Sequence, residues 1–364
     1  MIKILFLSDG RPLMGEQLGY YQALGRCAEV MICEFAQLER GEPDGDLLAL
    51  LKESSFKPDL ILHPAPSGFL PWGFAQAPFP TAYFHIDTFF GTRERTRLAM
   101  FFDYAFVFHP GFEAGFRHAG HPRVFLLPHA IDENLFAGPD CERIYEVGWV
   151  GSMKQGFYES RKRVIPQLAA RFRMNEWTRW HNREEMANVY RSSKIVVNVN
   201  RDDHPQDASL RTFETMAAGA LLVTRVPTEL TALGFVEGEH FIGYRSEKEI
   251  EDLVTHRLAH GEERNRIAMA ARQLVVKEHT YDHRAKALLG VIANDHEKLF
   301  APARQWSEAK VRYEYLHYFS DQLRLDAAGH ALKKLAVFGR ARALRAGHLL
   351  LWAALRSSWR AVRG

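Results

Sequence analysis

The stretch Arg211-Thr-Phe-Glu-Thr-Met-Ala-Ala-Gly-Ala-Leu-Leu-Val-Thr224 decides how this chain is read. Its first part fits a short helix over Arg211–Ala218 that stops at Gly219, a residue that ends helices readily. The apolar run that follows, Ala220–Thr224, is too short for a helix and reads as a buried strand. Ala217, Ala218 and Gly219 are small, which lets helix and strand approach closely. A helix feeding directly into a buried strand is half of a parallel α/β unit.

The same alternation runs outward in both directions. Upstream, Ile2–Leu7, Val30–Phe35, Leu60–His63, Thr81–His85, Tyr104–Phe108 and Val124–Leu127 read as buried strands. Helical patterns fall between them at Gly15–Cys27, Asp46–Ser54, Arg93–Phe102 and Phe112–Ala119. The pattern then restarts with strands at Glu146–Val150, Met174–Thr178, Ile195–Val199, Ala220–Thr224 and His240–Tyr244. Its helices fit Ser160–Ala170, Glu184–Arg191, Arg211–Ala218, Glu247–His260 and Glu262–Lys277. The expected fold is therefore α/β, with two Rossmann-like domains facing across a cleft and a basic helical C-terminal tail. Gly138 and Pro139 mark a loss of periodicity, so the domains are placed at residues 1–138 and 139–300, with the tail at 301–364. Ligands of such sheets sit beyond the carboxyl ends of the strands.

The bulk properties agree with that reading. The chain has 364 residues, 47% hydrophobic and 25% charged, which suits two globular domains and excludes a disordered chain. Three cysteines, Cys27, Cys33 and Cys141, point to a reducing compartment and no disulfide framework. No segment has the length and apolarity to span a bilayer, and the first residues lack a cleavage pattern, so a cytoplasmic location is expected.

Several residues carry candidate chemistry. Glu214 falls near the start of its helix, where free N–H groups and the dipole attract anions. A carboxylate there can accept two hydroxyl hydrogen bonds from a ribose, or it can simply be a solvated helix residue. Gly151 and Ser152 form a turn that lets backbone N–H groups approach phosphate oxygens, or an ordinary strand end. Arg161, Arg211 and Lys154 are candidates to neutralise a diphosphate; each also fits surface charge. Trp180, in Trp180-His-Asn182, offers an aromatic face for a base, or core packing. His85 and Asp87 alternate with Phe84 and Ile86 at a strand end, so they share a face where either can take a proton. His63, His109 and His129 lie at other strand ends and read as structural. The Asp202-Asp203-His204 run has ligand residue types but no metal-site spacing.

In order and spacing, these pieces resemble the GT-B glycosyltransferases, in particular the spore-maturation-protein-like branch of the group 1 glycosyl transferases. Leu127-Pro-His-Ala-Ile-Asp-Glu-Asn-Leu-Phe136 resembles that family's interdomain linker, and Val147-Gly-Trp-Val-Gly-Ser152 the opening of its donor domain. Met186-Ala-Asn-Val-Tyr-Arg-Ser-Ser-Lys-Ile-Val-Val-Asn198 resembles the helix and strand before the donor loop. The resemblance implies transfer of a sugar from a nucleotide-diphosphate sugar to a hydroxyl acceptor, a glycan or lipid-linked molecule, in cell-surface glycan assembly. It implies that Glu214 holds the ribose, Gly151 and Ser152 the diphosphate, and His85 or Asp87 the acceptor proton. It also implies no metal and no cofactor beyond the nucleotide sugar, because the helix dipole and arginines stabilise the leaving group. Many retaining members carry a glutamate eight positions before the ribose glutamate. Here that position is Gln206, which binds hydroxyls without charge, and Asp203, His204 or Asp207 are candidates to replace it.

The tail stands apart in charge. From Gly329 onward it carries eight Lys and Arg and no acid, against a net +3 for the whole chain. Trp352, Leu355, Trp359 and Val362 recur at helical spacing beside Arg356, Arg360 and Arg363. That pattern fits an interfacial helix on an anionic membrane, or a helix packed on the protein. Peripheral attachment to the inner membrane face is thus expected, and nucleic-acid binding is not. The aromatic run Trp306, Tyr313, Tyr315, Tyr318 and Phe319 is expected to pack onto a domain.

Overall fold

The computed structural model describes residues 1–34, 42–65, 69–85, 91–139, 141–153 and 156–363, with the side chains of residues 65, 85 and 358–363 outside that description. The chain divides into two compact units, one of residues 1–108, 112–127 and 290–364, the other of 109–111 and 128–289.

The first unit is built on a parallel sheet of β1 (Lys3–Ser8), β2 (Glu29–Glu34), β3 (Leu60–Ala65), β4 (Thr81–His85), β5 (Tyr104–Val107) and β6 (Val124–Leu126), in the order β2-β1-β3-β4-β5-β6. All its pairings are parallel, from Ile4 beside Leu60 to Phe106 beside Phe125. Helices α1 (Gly15–Gly25), α2 (Leu47–Glu53), α3 (Thr92–Ala99) and α4 (Glu113–His118) make the crossovers. Parallel strands need such crossovers, and both sheet faces are then covered. This is why the strands read as unbroken apolar runs: Ile4, Phe6, Leu62, Phe84 and Phe106 are all buried. The turn before α2 is fixed locally. Asp46 caps the helix by accepting from the N–H of Leu48 and Ala49, and Gly73 at φ +109° packs so close to Leu48 that a Cβ would lie 2.7 Å from its Cγ.

The second unit includes α5 (Glu133–Phe136). Its strands β7 (Tyr145–Gly148), β8 (Ser193–Asn198), β9 (Leu221–Arg225) and β10 (Ile242–Tyr244) form a parallel sheet in the order β10-β9-β8-β7. Helices α6 (Glu159–Arg171), α7 (Arg183–Arg191), α8 (Leu210–Ala217), α9 (Ile250–Ala259) and α10 (Gly261–Glu278) surround it. Gly219 ends α8 in the left-handed region at φ +69°. Arg143 satisfies the last carbonyls, reaching Gly219 O at 2.9 Å, and a Cβ at Gly219 would stand 3.0 Å from that guanidinium. The strand expected at Met174–Thr178 does not form. Only Met174 bridges to Val147, and the pairing continues through a side chain, with Asn175 Oδ1 accepting from Trp149 N–H at 2.9 Å.

Helix α11 (Tyr281–Ala293) leads to α12 (Glu308–Asp321), α13 (Leu325–Ala336) and α14 (Arg340–Arg363). The C-terminal region of residues 301–364 is helical as expected, and α12, α13 and α14 group with the first unit rather than forming a third one. Tyr315, Leu316, Phe319, Ala328, Leu335 and Leu349 share one apolar core with Leu5, Ile61 and Phe102. Burying a side chain of that size contributes roughly 1.5–3 kcal/mol, which a detached tail would forgo. Polar ties reinforce the contact. The fully buried Asp103 receives Arg304 Nε and Nη2, each at 2.7 Å, together with the N–H of Ala301 at 2.8 Å. Arg312 lies over the Trp72 ring at 3.3 Å and pairs with Glu42. The aromatic run thus packs as expected. The expected boundary near residue 138 also moves, to the 127/128 junction, because Ile131 pairs with His279 and Thr280 inside the second unit.

Candidate functional site

In the second sheet the chain reverses direction at β7. The connection through Met174 lies on one side of that strand and β8 on the other, which makes a topological switch point at their carboxyl ends. Ligands of open α/β sheets bind at such a point. The turn that leaves β7 there is Trp149-Val-Gly-Ser152. Trp149 is fully buried under it, and a Cβ at Gly151 would stand 2.8 Å from the Trp149 ring and 3.3 Å from Arg211 Nη2. Only glycine fits, and the backbone is bare where Arg211 meets it.

Four polar side chains gather beneath this turn. Arg161, on the first turn of α6, is buried and donates to Val199 O at 2.7 Å and to Ser152 O at 3.2 Å. Burial and the neighbouring Arg211 push its pKa down to about 9. Arg211, in the first turn of α8, reaches Asn198 Oδ1 at 3.4 Å, and its buried Nε has no hydrogen-bond partner among the described residues. Glu214 is buried one turn further along α8. Burial raises the pKa of the Tyr190 hydroxyl, which also feels the charges of Arg211, Glu214 and Arg161. Two arginines are thus held together against their mutual repulsion, with one of them incompletely hydrogen-bonded. A doubly charged anion lying on the turn would relieve both.

The helix ends distinguish two otherwise similar positions. Helix α6 has its N-terminus closed by Asp202, which accepts from Glu159 N–H at 2.7 Å and Ser160 N–H at 3.2 Å. Helix α8 has Ser209 at its N-cap with no side-chain cap. The Ser209 hydroxyl is buried and has no hydrogen-bond partner among the described residues. The dipole of α8 is therefore the one left for an anion. A pocket of about 400 Å³ opens at the ends of β8, β9 and β10, but two of its arginines are already engaged, Arg163 with Glu247 and Arg201 with Asp203.

The structure thus brings Gly151, Ser152, Arg161, Arg211 and Glu214 together. Trp180 is not core packing: it is 79% exposed on the turn before α7. Its neighbour Asn182 is occupied as the N-cap of α7, in a reciprocal pair with Glu185. Gln206 is exposed, and its carbonyl accepts from Glu229 N–H at 2.9 Å. Asp87 and Lys154 lie outside the described residues, as does the side chain of His85. The Asp202-Asp203-His204 run is split: Asp202 caps α6, Asp203 pairs with Arg201, and His204 turns inward.

Sequence reasoning missed Tyr190, Asn198 and Asn200. Asn198 donates to Asn200 Oδ1 at 2.9 Å and to Thr224 Oγ1 at 3.1 Å; Asn200 donates to Pro205 O at 3.0 Å and to Asp207 O at 2.7 Å. These two amides join the end of β8 to the loop before α8 and so set where Arg211 stands. The signal was present in Val197-Asn-Val-Asn200, where amides alternate with valines at a strand end. Also missed was a buried group of His109, His204, Asp207 and Glu229. His109 Nδ1 lies 2.9 Å from Glu229 Oε2 and 3.4 Å from Asp207 Oδ1, and His204 Nε2 lies 3.4 Å from Glu229 Oε1. Burial raises the Asp207 pKa. Burial would raise that of Glu229 as well, but hydrogen bonds from His109 and His204 hold it at about 2.

Residues 151–290 match the family described as glycosyl transferase-like. The match begins at the Gly151 turn and spans α6 to α10, so it covers every one of the gathered residues. Among solved structures, sucrose-phosphate synthase from Thermosynechococcus elongatus aligns over 80% of this chain and 98% of its own at 12% identity and TM-score 0.58. Anabaena HepE, solved in complex with UDP-glucose, aligns over 81% of this chain and 100% of its own at 14% identity and TM-score 0.57. A glycosyltransferase from Rickettsia africae aligns over 80% and 97% at 10% identity and TM-score 0.58. At these identities the likeness concerns the fold, which is the two-Rossmann GT-B fold of glycosyltransferases. No curated protein sequence matches the chain.

Proposed function

We propose that this chain is a glycosyltransferase of the spore-maturation-like branch, moving a sugar from a nucleoside diphosphate sugar onto a hydroxyl acceptor. The observation that carries the reading is the bare turn at Gly151, facing Arg211 and the open N-terminus of α8 within the segment that matches glycosyl transferase-like proteins. In this reading the N–H groups of residues 151 and 152 and the Arg211 guanidinium take the diphosphate. Arg161 holds the turn in place and adds charge. Glu214 accepts the ribose hydroxyls, exposed Trp180 stacks on the base, and Gln206 binds sugar hydroxyls. Charge developing on the leaving diphosphate is stabilised by fixed donors, which need no reorganisation as the bond breaks. His85 or Asp87 takes the acceptor proton, and losing that base slows transfer by ~10²–10⁴-fold while leaving donor binding intact.

HepE is solved with UDP-glucose, so UDP and UDP-sugars come first in a thermal-shift panel of nucleoside diphosphates and their sugars. Stabilisation by one nucleoside diphosphate and its sugar, with sugar release only in the presence of an acceptor, supports transfer. Hydrolysis without an acceptor would favour a hydrolase, and binding without turnover a scaffold.

The acceptor side of the proposal is a glycan or lipid-linked molecule in cell-surface assembly, with the protein held peripherally on an anionic membrane. No described helix is long and apolar enough to cross a membrane. Helix α14 instead has two faces. Ala346, Leu349 and Ala353 are buried, while Leu344, Leu351, Trp352 and Leu355 are exposed, with Arg340, Arg342 and Arg345 exposed beside them. Each cation near an anionic surface contributes roughly 1 kcal/mol, screened by salt. The protein should sediment with anionic liposomes, less so at high salt, and Leu351→Glu with Leu355→Glu should abolish this without changing the melting temperature. Equal binding to neutral vesicles would refute the electrostatic part.

A further inference from the structure

The group of His109, His204, Asp207 and Glu229 is not used by the donor-binding reading proposed above. All four residues belong to the second unit, although His109 comes from the short segment that follows β5. His109, His204 and Asp207 are buried, and the Glu229 side chain is 9% exposed. Each offers one ligand atom, and the four atoms lie within 4.8 Å of one another. From these observations we propose that His109, His204, Asp207 and Glu229 form a binding site for a divalent transition cation of the zinc type.

The spacing of the four groups is within reach of a four-coordinate site. With metal–ligand bonds of about 2.0–2.1 Å, neighbouring ligand atoms stand about 3.3 Å apart along each edge of the tetrahedron. His109 Nδ1 stands 2.9 Å from Glu229 Oε2 and 3.4 Å from Asp207 Oδ1, and His204 Nε2 stands 3.4 Å from the other Glu229 oxygen, so binding one cation draws the four atoms together by less than about 1.5 Å from their 4.8 Å limit. The ligand atoms are His109 Nδ1, His204 Nε2, one oxygen of Asp207 and one of Glu229. Two imidazoles and two carboxylates are the donor set of zinc-like ions rather than of calcium or magnesium, which take oxygen ligands.

Charge gives the second argument. Two carboxylates in one buried group are costly unless matched. A divalent cation balances both and leaves the histidines neutral, the form in which imidazole binds a metal. A surrounding shell holds the ligands. Asn200 Nδ2 fixes the Asp207 carbonyl at 2.7 Å, Glu229 N–H bonds Gln206 O at 2.9 Å, and the His129 ring packs against that of His109 with centroids 5.4 Å apart. Such outer partners orient metal ligands and are part of a working site.

A cation there would join three separate pieces of chain: the segment after β5, the loop 201–209 and the turn after β9. The loop runs directly into α8, which carries Arg211 and Glu214, so the cation would fix the approach to that helix without touching a diphosphate. The resemblance to GT-B enzymes implies a metal-free reaction, and a cation in this position is compatible with that because its role is to hold the loop.

The test uses the full chain, stripped with a chelator, dialysed, and titrated with Zn²⁺ by calorimetry and with Co²⁺ by visible absorption. One equivalent of Zn²⁺ should bind and raise the melting temperature, and Co²⁺ should give the intense visible bands of a four-coordinate site. Glu229→Gln keeps size and hydrogen bonding, His204→Asn keeps a hydrogen-bonding side chain, and each should weaken Zn²⁺ binding by at least ~100-fold, the upper end of what outer partners alone cost. UDP binding is measured in parallel, so failure of the cation site and failure of the nucleotide site are told apart. Absence of stoichiometric Zn²⁺ binding would overturn the proposal, as would a six-coordinate Co²⁺ spectrum or unchanged affinity in both variants. If the variants do not fold, the Co²⁺ spectrum of the unaltered protein decides alone.

Discussion

Replacing Arg211 by Met separates binding from stability, because the two effects should have opposite signs. In the free protein the Arg211 guanidinium has a buried Nε without a partner among the described residues, a long hydrogen bond of 3.4 Å to Asn198, an interaction with the Tyr190 hydroxyl, and a like charge beside it in Arg161. Leaving a buried donor unsatisfied costs about 1–3 kcal/mol, and the repulsion adds to it. Methionine fills similar volume, favours a helix and removes both penalties. The free protein should therefore keep its melting temperature or gain ~2–4 °C for each kcal/mol relieved. Nucleoside diphosphate binding should move the other way. Losing one charge-assisted pair to a phosphate costs about 1.5–3 kcal/mol, which is roughly 10- to 150-fold in Kd. Calorimetry with UDP, run beside a melting curve of each protein, reads both quantities. Weaker binding together with a large fall in melting temperature would mean that Arg211 serves the fold. Unchanged affinity would remove it from the site.

Three further outcomes are expected. Glu214→Ala should weaken nucleotide binding by about 1.5–3 kcal/mol in calorimetry, with the fold retained, if its carboxylate accepts ribose hydroxyls. Asp103→Asn leaves Arg304 facing a neutral partner in the core and should cost ~3–5 kcal/mol in denaturant unfolding, and Arg304→Met on top of it should recover part of that loss. Burial holds the fully buried His63 neutral, with its pKa pushed down from 6.5 to about 4. The unfolded chain therefore binds a proton that the folded chain refuses, so stability is fully present above pH ~6.5 and falls by up to roughly 3 kcal/mol as the pH drops to ~4. His63→Leu should flatten that part of the pH profile, and an unchanged slope would show that other groups set it.

How much was legible in the sequence follows from which interactions are local. The strands of both units were readable because parallel strands buried on both faces are continuous apolar runs, and β4 falls at Thr81–His85 as expected. Helix α8 was readable from its Gly219 stop and the strand behind it. Gly151, Ser152, Arg161, Arg211 and Glu214 were named from the resemblance together with a turn and two helix starts, and the structure places them near one another. The strand expected at Met174–Thr178 failed for the complementary reason. Its apolar residues alternate too weakly to outcompete the Asn175 side chain, which takes over the pairing with Trp149.

The sequence by itself determined the two parallel α/β units and the residues lining the turn after β7, because periodicity and local backbone preferences act over a few residues. Tertiary structure alone decided three other matters. It placed the basic C-terminal helices in the core of the first unit, where a stripe that reads as interfacial has a buried alanine face on its other side. It left the α8 N-terminus open while Asp202 closed that of α6, a choice made by a residue more than forty positions from the helix start it caps. It also brought His109 to His204, Asp207 and Glu229. Those residues are separated by up to 120 positions, and long-range packing rather than local preference sets their distance.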